Sequence, residues 1–346
     1  MMILLASEFL ELGKTIPIID VRTPAEFEQG HIPGAYNIPL FTNEERAVVG
    51  TLYKKASKES ALMKGLDFVG SKMSSFITEA KKIAPESKIL IHCWRGGMRS
   101  ASMAWLFKTA GFEAHTLYGG YKAYRNYIRK SFENQSQMVI LGGYTGSGKT
   151  EILKHITACK AQAIDLEALA NHKGSAFGHI GQLPQPTTEQ FENNLAYEWS
   201  RNNFSSAIWL EDESRAIGYI QQPDNFYRKL RESIMVFVDV PREIRIQRLV
   251  NEYSGIDQQA LKNALIKICR RLGGQNFNKS IAALQENDYT TVADLTLTYY
   301  DRAYTFGVEQ RDSSKVFTLK LDEDNPKKTA QKVLDFYESL RTNNSI

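Results

Sequence analysis

Residues 138–150 read MVILGGYTGSGKT and decide the fold of the second part of this 346-residue chain. The apolar residues 138–141 predict a buried strand, and the pattern after the glycines predicts a helix as far as Ala158. Between the two, Gly143 to Thr150 matches G-x-x-x-x-G-K-[ST] without a mismatch, in the strand-to-helix context that this motif needs. The sequence therefore predicts a phosphate-binding loop in a parallel α/β domain.

The predicted phosphate-binding loop combines glycines, hydroxyl side chains and a lysine. Glycines let the backbone turn so that successive N–H groups point at phosphate oxygens, and the next helix adds its positive N-terminal dipole. Lys149 supplies a point charge, and Thr150 can hold Mg²⁺. Any diphosphate would satisfy these donors, so the motif leaves ATP and other diphosphates open. The predicted phosphate-binding residues are Gly143, Gly146, Ser147, Gly148, Lys149 and Thr150.

Three acidic residues follow an apolar strand predicted at 207–210. In phosphate-binding domains of this kind, an acidic residue at such a strand end holds Mg²⁺ directly or through water. Successive side chains on a strand point to opposite faces, so Glu211 and Glu213 would point one way and Asp212 the other. The sequence leaves open which of the three is functional.

Basic residues are concentrated at 242–279, where eight of them outnumber three acidic ones. Arg242, Arg245 and Arg248 are spaced three apart, which places them on one face of a predicted helix. That face suits closure over a bound phosphate compound and equally suits contact with an RNA backbone. Arg270 and Arg271 continue the basic stretch, and they too are predicted to contact either a bound phosphate compound or an RNA backbone.

The first part of the chain alternates short apolar runs with helical patterns. Residues 17–21, 88–92 and 114–118 predict buried parallel strands, and Ser100 is the predicted N-cap of a helix that ends at Lys108. This order indicates α/β structure here as well. A polar, aperiodic stretch before residue 138 predicts a boundary between domains at 1–133 and 138–346. Later elements are predicted as strands at 234–239 and 316–321 and a last helix at 327–340.

Cys93 lies in a loop between a predicted strand and the predicted N-terminus of a helix, in the run His92-Cys93-Trp94-Arg95-Gly96-Gly97-Met98-Arg99-Ser100. The loop N–H groups, the helix N-terminus and the charges of Arg95 and Arg99 are expected to stabilise a thiolate. Cys93 is therefore the predicted nucleophile, in what we expect to be a surface loop. The H-C-x5-R pattern also occurs in Cys-dependent phosphatases, so two chemistries stay open. Cys159 and Cys269 lack such surroundings and are interpreted as small buried residues.

Composition agrees with a globular enzyme. Hydrophobic residues make up 42% and charged residues 24% of the chain, the formal net charge is +4, and the cysteines number three, with no C-x-x-C pair. This excludes a disulfide framework and predicts no zinc site. No apolar run reaches the roughly 18 residues of a membrane span, and the N-terminal apolar stretch is too short for a signal peptide. We expect a cytoplasmic protein that does not bind membranes.

Residues 19–39 carry D-x-R, E-[FY], G-H-I-x-G-A and N-I-P elements and resemble the rhodanese signature. The resemblance covers about residues 5–130, with 117–120 matching the family's closing strand. The loop from Cys93 to Arg99 departs from it, because seven residues replace the six of simple rhodaneses. Seven is the length seen in rhodanese-fold phosphatases, and it leaves room for more than one sulfur atom. The resemblance implies an N-terminal rhodanese-like domain followed by a P-loop NTPase-like parallel α/β domain.

The two loops on one chain resemble the tRNA 2-selenouridine synthase family. Further matching motifs lie at 171–178, 211–218 and 299–304. The resemblance implies a transferase that converts wobble 2-thiouridine to 2-selenouridine through S-geranyl-2-thiouridine, using geranyl diphosphate and selenophosphate. It implies tRNA as partner, together with an enzyme that supplies selenophosphate, and no covalently bound cofactor.

The same resemblance implies roles for individual residues. Cys93 would carry selenium, with Arg95 and Arg99 stabilising charge on the leaving phosphate. The phosphate-binding loop would hold the diphosphate of geranyl diphosphate, and the arginines between Arg242 and Arg271 would contact tRNA. Tyrosines near Tyr299, or Trp209, would line the geranyl chain or pack in the core. An ATP-dependent rhodanese-type sulfurtransferase and a Cys-dependent phosphatase are the alternatives that the residues leave open.

Overall fold

The computed structural model describes residues 2–343, and the chain divides into two compact units between Phe132 and Glu133. Each unit is built around a five-stranded parallel sheet flanked by helices. The predicted class, a parallel α/β fold in both parts, is confirmed. The predicted boundaries at 133 and 138 lie within six residues of the division.

The first unit orders its strands β1-β5-β4-β2-β3, all parallel. β4 lies at the centre and is buried except for its first residue. The strands are β1 (Ile3–Leu4), β2 (Ile18–Asp20), β3 (Tyr36–Asn37), β4 (Lys88–His92) and β5 (Glu113–Leu117). The helices are α1 (Ala6–Leu12), α2 (Pro24–Gln29), α3 (Asn43–Lys55), α4 (Lys58–Gly70), α5 (Met73–Ile83), α6 (Met98–Thr109) and α7 (Gly120–Ser131).

The second unit orders its main sheet β12-β11-β6-β8-β7, again parallel, and adds a short antiparallel pair, β9 with β10. The strands are β6 (Gln137–Gly142), β7 (Gln162–Ile164), β8 (Ala207–Glu211), β9 (Ala216–Ile217), β10 (Ile220–Gln221), β11 (Ile234–Asp239) and β12 (Val316–Lys320). The helices are α8 (Lys149–Ala158), α9 (Leu166–Ala170), α10 (Thr188–Ser200), α11 (Asp224–Glu232), α12 (Arg242–Tyr253), α13 (Gln258–Leu272), α14 (Gly274–Gln285), α15 (Tyr289–Glu309) and α16 (Pro326–Thr342).

The two loops singled out in the sequence occupy equivalent places. Cys93 follows β4 and the glycine-rich loop follows β6, and each of these strands is the central one of its sheet. In open parallel sheets, ligands bind outside the carboxyl ends of the strands, where neighbouring connections diverge. The topology thus places both loops where binding sites are expected.

Three details differ from the sequence predictions. The helix after Cys93 begins at Met98 with Gly97 as N-cap, so Ser100 is not the cap. Cys159 is the C-cap of α8 and is exposed, and Cys269 is only half-buried, so neither is a small buried core residue. Trp209 is buried in the core against Tyr337, with ring centroids 5.3 Å apart, which excludes it from a ligand-binding wall.

No helix within residues 2–343 is both long enough and apolar enough to cross a membrane.

Candidate functional site

The Cys93 thiol is buried at the end of β4, with 3% of the residue exposed. The expectation of a surface loop is therefore wrong for this side chain. Its Sγ lies 3.2 Å from the hydroxyl oxygen of Ser100, which also donates to the Gly97 carbonyl at 3.1 Å. A hydroxyl in this position can accept from a thiol or donate to a thiolate. Ser100, predicted as a cap, is instead the polar partner of the nucleophile.

Backbone packing against α7 fixes the path of the Cys93 loop. The amide of Tyr121 donates to the Cys93 carbonyl at 2.8 Å, and the amide of Lys122 donates to the Trp94 carbonyl at 3.0 Å. Gly120 has φ +61°, and a Cβ there would lie 2.4 Å from both the Cys93 carbonyl oxygen and the Gly96 amide nitrogen. Gly120 is thus required for this close approach.

The two arginines of the Cys93 loop have different surroundings. Arg99 donates to the Glu26 carboxylate at 2.8 Å. Burial would raise the pKa of Glu26, but the hydrogen bonds and charge of Arg99 outweigh it and hold this pKa below its usual value. Arg95 is exposed. Arg99 is therefore committed to an ion pair that orders the loop, and Arg95 is the arginine positioned for an incoming anion.

The D-x-R element is a buried ion pair beneath this loop. Arg22 donates to the Asp20 carboxylate at 2.6 Å, and its guanidinium carbon lies 3.8 Å from the ring centroid of Tyr121. Tyr121 in turn holds the Cys93 carbonyl. The Asp20–Arg22 ion pair therefore supports the Cys93 loop through Tyr121 and has a structural role.

The glycine-rich loop has the backbone conformation that its glycines predict. Gly146 and Gly148 have φ +81° and +76°, and Gly148 is the N-cap of α8. Lys149 Nζ donates to the Gly143 carbonyl at 2.8 Å, and the Gly143 amide donates to the Tyr304 hydroxyl at 3.0 Å. The hydroxyl of Ser147 is buried and has no hydrogen-bond partner among the described residues. A buried, unsatisfied donor in such a loop indicates that a ligand supplies its partner.

The three acids after β8 point in the two predicted directions. Asp212 pairs with Arg311 at 2.5 Å and with Arg231 at 3.5 Å. Glu211 is fully buried and accepts from the Leu166 amide at 2.9 Å. Glu213 lies close to the Gly174 backbone and to Glu167, a carboxylate that the Thr150 hydroxyl contacts at 2.7 Å.

Burial and mutual repulsion alter the charge of this acidic cluster. Burial, followed by the neighbouring Glu167, raises the pKa of Glu213 to about 8. Burial, with Asp165 and Glu167, raises the pKa of Glu211 well above its usual value. At neutral pH, Glu213 is therefore largely protonated. In the part of the chain that the structure describes, no group of three or more His, Cys, Asp or Glu side chains is arranged to hold a metal ion.

The arginines of α12 are paired with acids. Arg242 donates to Asp294 at 2.8 Å, and Arg248 donates to Glu151 at 2.7 Å and also pairs with Asp324. Arg245 is 4% exposed and donates to Asp301 at 2.8 Å and to the Thr145 carbonyl at 3.3 Å.

These pairings correct the prediction for α12. Arg245 is closed off from tRNA, and Arg242 is engaged by a neighbouring helix. The Arg248 guanidinium covers Gly148, where a Cβ would lie 2.5 Å from Nη1. Arg245 and Arg248 thus both lie beside the phosphate-binding loop, and Arg248 is the more exposed of the two. Arg270 and Arg271 are exposed on α13.

The phosphate-binding loop opens into a cavity of about 1850 Å³ within the second unit. One wall is aromatic, since Tyr299, Tyr300 and Tyr304 line it, and Lys149 Nζ lies 5.7 Å from the Tyr304 ring centroid. Other lining residues are Phe177, Leu249, Ile268 and Ala303. The cavity therefore joins an anion-binding end to a wall of tyrosines, and charged residues line its other sides.

Several residues of this cavity were not singled out by the sequence analysis. Glu167 reaches the site from the first turn of the short helix α9, and His172 lies within a motif quoted only as a whole. Lys267, on α13, was counted only as part of a basic stretch. Glu167 had no signal in the sequence, because its position depends on the pairing of β7 with β8.

Comparisons with known proteins bear on both units. The Rhodanese-like domain family matches residues 5–127, and the tRNA 2-selenouridine synthase AAA domain family matches residues 136–333. Among solved structures, the N-terminal domain of a putative ATP/GTP binding protein from Clostridium difficile 630 is 42% identical. It covers 36% of this chain and 98% of that chain, with a TM-score of 0.35.

Fold and loops define a two-domain enzyme that joins a rhodanese-like domain to a P-loop domain. A tRNA 2-selenouridine synthase from Bdellovibrio bacteriovorus is 37% identical, over 88% of this chain and 92% of that protein. Another tRNA 2-selenouridine synthase, from Shewanella frigidimarina, is 34% identical over 87% of this chain and 91% of that protein. The chain belongs to the tRNA 2-selenouridine synthase family, whose members are enzymes that act on tRNA.

Proposed function

We propose that this enzyme replaces the sulfur of wobble 2-thiouridine in tRNA with selenium, through an S-geranyl intermediate. Geranyl diphosphate is the substrate of the second domain, and selenophosphate is the substrate of the first. The observation that carries this proposal is the cavity in which Lys149 meets a tyrosine-lined chamber. A prenyl diphosphate has the same two parts, a diphosphate and an apolar chain.

The second domain supplies binding and charge neutralisation for alkyl transfer. The amides of the phosphate-binding loop, the Ser147 hydroxyl and Lys149 surround the diphosphate, and Arg248 lies beside them. Pyrophosphate becomes a good leaving group once its charge is neutralised. Mg²⁺ held at Thr150 and the diphosphate oxygens would supply further positive charge, since Mg²⁺ is commonly bound through substrate phosphates and few protein ligands.

The first domain supplies the nucleophile. Cys93 Sγ attacks the phosphorus of selenophosphate, so that an S–P bond replaces the P–Se bond, and Ser100 contacts this sulfur while Arg95 with the loop amides binds the phosphate. The hydroselenide that leaves displaces geranyl thiol from C2 of the S-geranyl nucleoside, and water hydrolyses the phosphocysteine to phosphate. Arg99 holds the loop through Glu26. Selenophosphate is reactive, so a supplying enzyme is a proposed partner. The cytoplasm, where tRNA is modified, is the proposed location.

The purified protein tests this proposal directly. tRNA carrying wobble 2-thiouridine is incubated with geranyl diphosphate, with selenophosphate, with both or with ATP, and its nucleosides are measured by mass spectrometry. We expect S-geranyl-2-thiouridine from the first mixture and 2-selenouridine only when both substrates are present. Selenation that requires ATP and ignores geranyl diphosphate would establish the ATP-dependent alternative.

A further inference from the structure

The basic residues that line the large cavity differ in their partners. Arg248 of α12 is neutralised by Glu151 and Asp324, Lys173 by Glu252 and Arg231 by Asp212. Lys149 and Lys154 belong to α8, the helix that follows the phosphate-binding loop. Lys267 and Arg271 of α13 also line the cavity, but neither has an acidic partner among residues 2–343. They are spaced four residues apart and so share one helix face. This part of the cavity wall therefore carries uncompensated positive charge.

The neighbours of these two cations add no negative charge. Lys267 Nζ lies 3.4 Å from His179 Nε2, and Arg271 donates to the Tyr299 hydroxyl at 3.3 Å. Burial, followed by the nearby His179 and Lys267, lowers the pKa of His172. Of these causes, burial disfavours any charge, and only the nearby positive groups would also favour an anion.

His172 supplies an independent sign of a ligand. It lines the cavity with 7% of the residue exposed, and its Nδ1 has no hydrogen-bond partner among the described residues. A buried polar atom without a partner costs free energy unless a ligand or water satisfies it. The wall thus presents two unneutralised cations beside an unsatisfied imidazole nitrogen.

We propose that Lys267 and Arg271 bind the RNA phosphates that flank the wobble nucleotide, with His172 hydrogen-bonding the same nucleotide. This inference rests on the proposed function, because the thiouracil has to reach the prenyl diphosphate in this cavity. The diphosphate itself already has its donors in the phosphate-binding loop. A second anion site in the cavity therefore fits the other anionic substrate, the anticodon loop of tRNA.

The test uses two double variants of the same helix with equal loss of charge. Lys267→Ala with Arg271→Ala removes the cavity cations. Lys262→Ala with Arg270→Ala is the matched control, because both residues are exposed on α13 and neither lines the cavity. The full-length proteins are titrated with tRNA at several salt concentrations and, separately, with geranyl diphosphate.

The cavity variant should bind tRNA roughly tenfold more weakly, with a salt slope smaller by about 1.4, since each single-strand phosphate contact contributes about 0.7. The control variant should keep most of the tRNA affinity and most of the salt slope. Both double variants should bind geranyl diphosphate as the wild type does. His172→Ala should weaken tRNA binding without changing the salt slope, because it removes a hydrogen bond and no charge.

Two outcomes would overturn the assignment. If the cavity variant keeps its tRNA affinity and loses geranyl diphosphate, the cations belong to the small-molecule site. If both double variants lose tRNA equally, α13 is a general basic surface. A wild-type protein that binds tRNA but never transfers a geranyl group would instead refute the proposed function and leave the tRNA site standing.

Discussion

The Cys93 loop and the phosphate-binding loop follow the central strands of two parallel sheets, yet they are stabilised differently. The Cys93 loop packs on backbone, since Gly120 of α7 approaches so closely that no side chain fits between them, and the Arg99–Glu26 ion pair adds to this support. The phosphate-binding loop is held by side chains from distant elements, including Tyr304 and Arg245. A thiolate that attacks one phosphorus atom needs a rigid, narrow loop around it, whereas a diphosphate site needs donors that surround a larger group.

The largest effect is expected on geranyl transfer at the phosphate-binding loop. Lys149→Ala removes the point charge beside the diphosphate and should slow geranyl transfer by about 10²- to 10³-fold, as loss of one charge-stabilising donor does elsewhere. The tRNA affinity should not change. Product formation is followed by nucleoside mass spectrometry, with Lys320→Ala, exposed on β12, as control. Unimpaired geranyl transfer by Lys149→Ala would remove the diphosphate from this loop.

Alanine at matched glycines tests the contrast between backbone and side-chain support. Gly120→Ala should cost about 3 kcal/mol or more of unfolding free energy, because its Cβ meets backbone atoms at φ +61°. Gly148→Ala should cost about 1 to 2 kcal/mol, since its Cβ meets only the movable end of Arg248 at φ +76°.

Urea unfolding of both variants measures these costs. Gly97→Ala is the control, because a Cβ there meets nothing within 4 Å. Equal losses at residues 120 and 148 would show that the two loops do not differ in the proposed way.

A smaller effect concerns the acids beside the phosphate-binding loop. The pKa of Glu213 is raised to about 8, so the folded protein holds a proton that the unfolded chain releases at lower pH. Stability therefore falls as pH rises from the ordinary carboxyl range to about 8. Glu213→Gln has no such proton to lose and should gain stability over the wild type between pH 6 and pH 9.

The expected gain is about 1 kcal/mol or more, or roughly 2 to 4 °C in the melting temperature of a domain of this size. Melting curves are recorded without divalent metal, and the exposed Glu198→Gln serves as control. If the melting temperatures of Glu213→Gln and the wild type differ by the same amount at pH 6 and at pH 9, Glu213 ionises normally.

Much of this architecture could be predicted from local sequence. The strands at 88–92 and 234–239 were predicted with their observed ends, because continuous apolar runs identify strands that are buried on both faces. The phosphate-binding loop was predicted for the same reason, since its glycines, lysine and flanking elements are contiguous. A conformation that depends only on neighbouring residues can be predicted from those residues.

Pairings between distant residues could not be predicted in this way. The helix spacing of Arg242, Arg245 and Arg248 was correct, but their partners Asp301 and Asp324 lie more than fifty residues away. Without those partners, a row of paired arginines looks like a free basic face. Conversely, Lys267 lines the cavity and has no acidic partner within residues 2–343, and only the three-dimensional structure reveals that.

The division of labour between the two loops is tested most directly by Cys93→Ser. Serine is close in size to cysteine and lies beside Ser100, so the variant should fold, but its hydroxyl cannot replace the thiolate that releases selenium from selenophosphate. The variant is given tRNA, geranyl diphosphate and selenophosphate, and its wobble nucleosides are measured by mass spectrometry. We predict that S-geranyl-2-thiouridine accumulates and that 2-selenouridine is absent. Undiminished 2-selenouridine would contradict the account, and so would loss of the geranylated nucleoside from a folded variant.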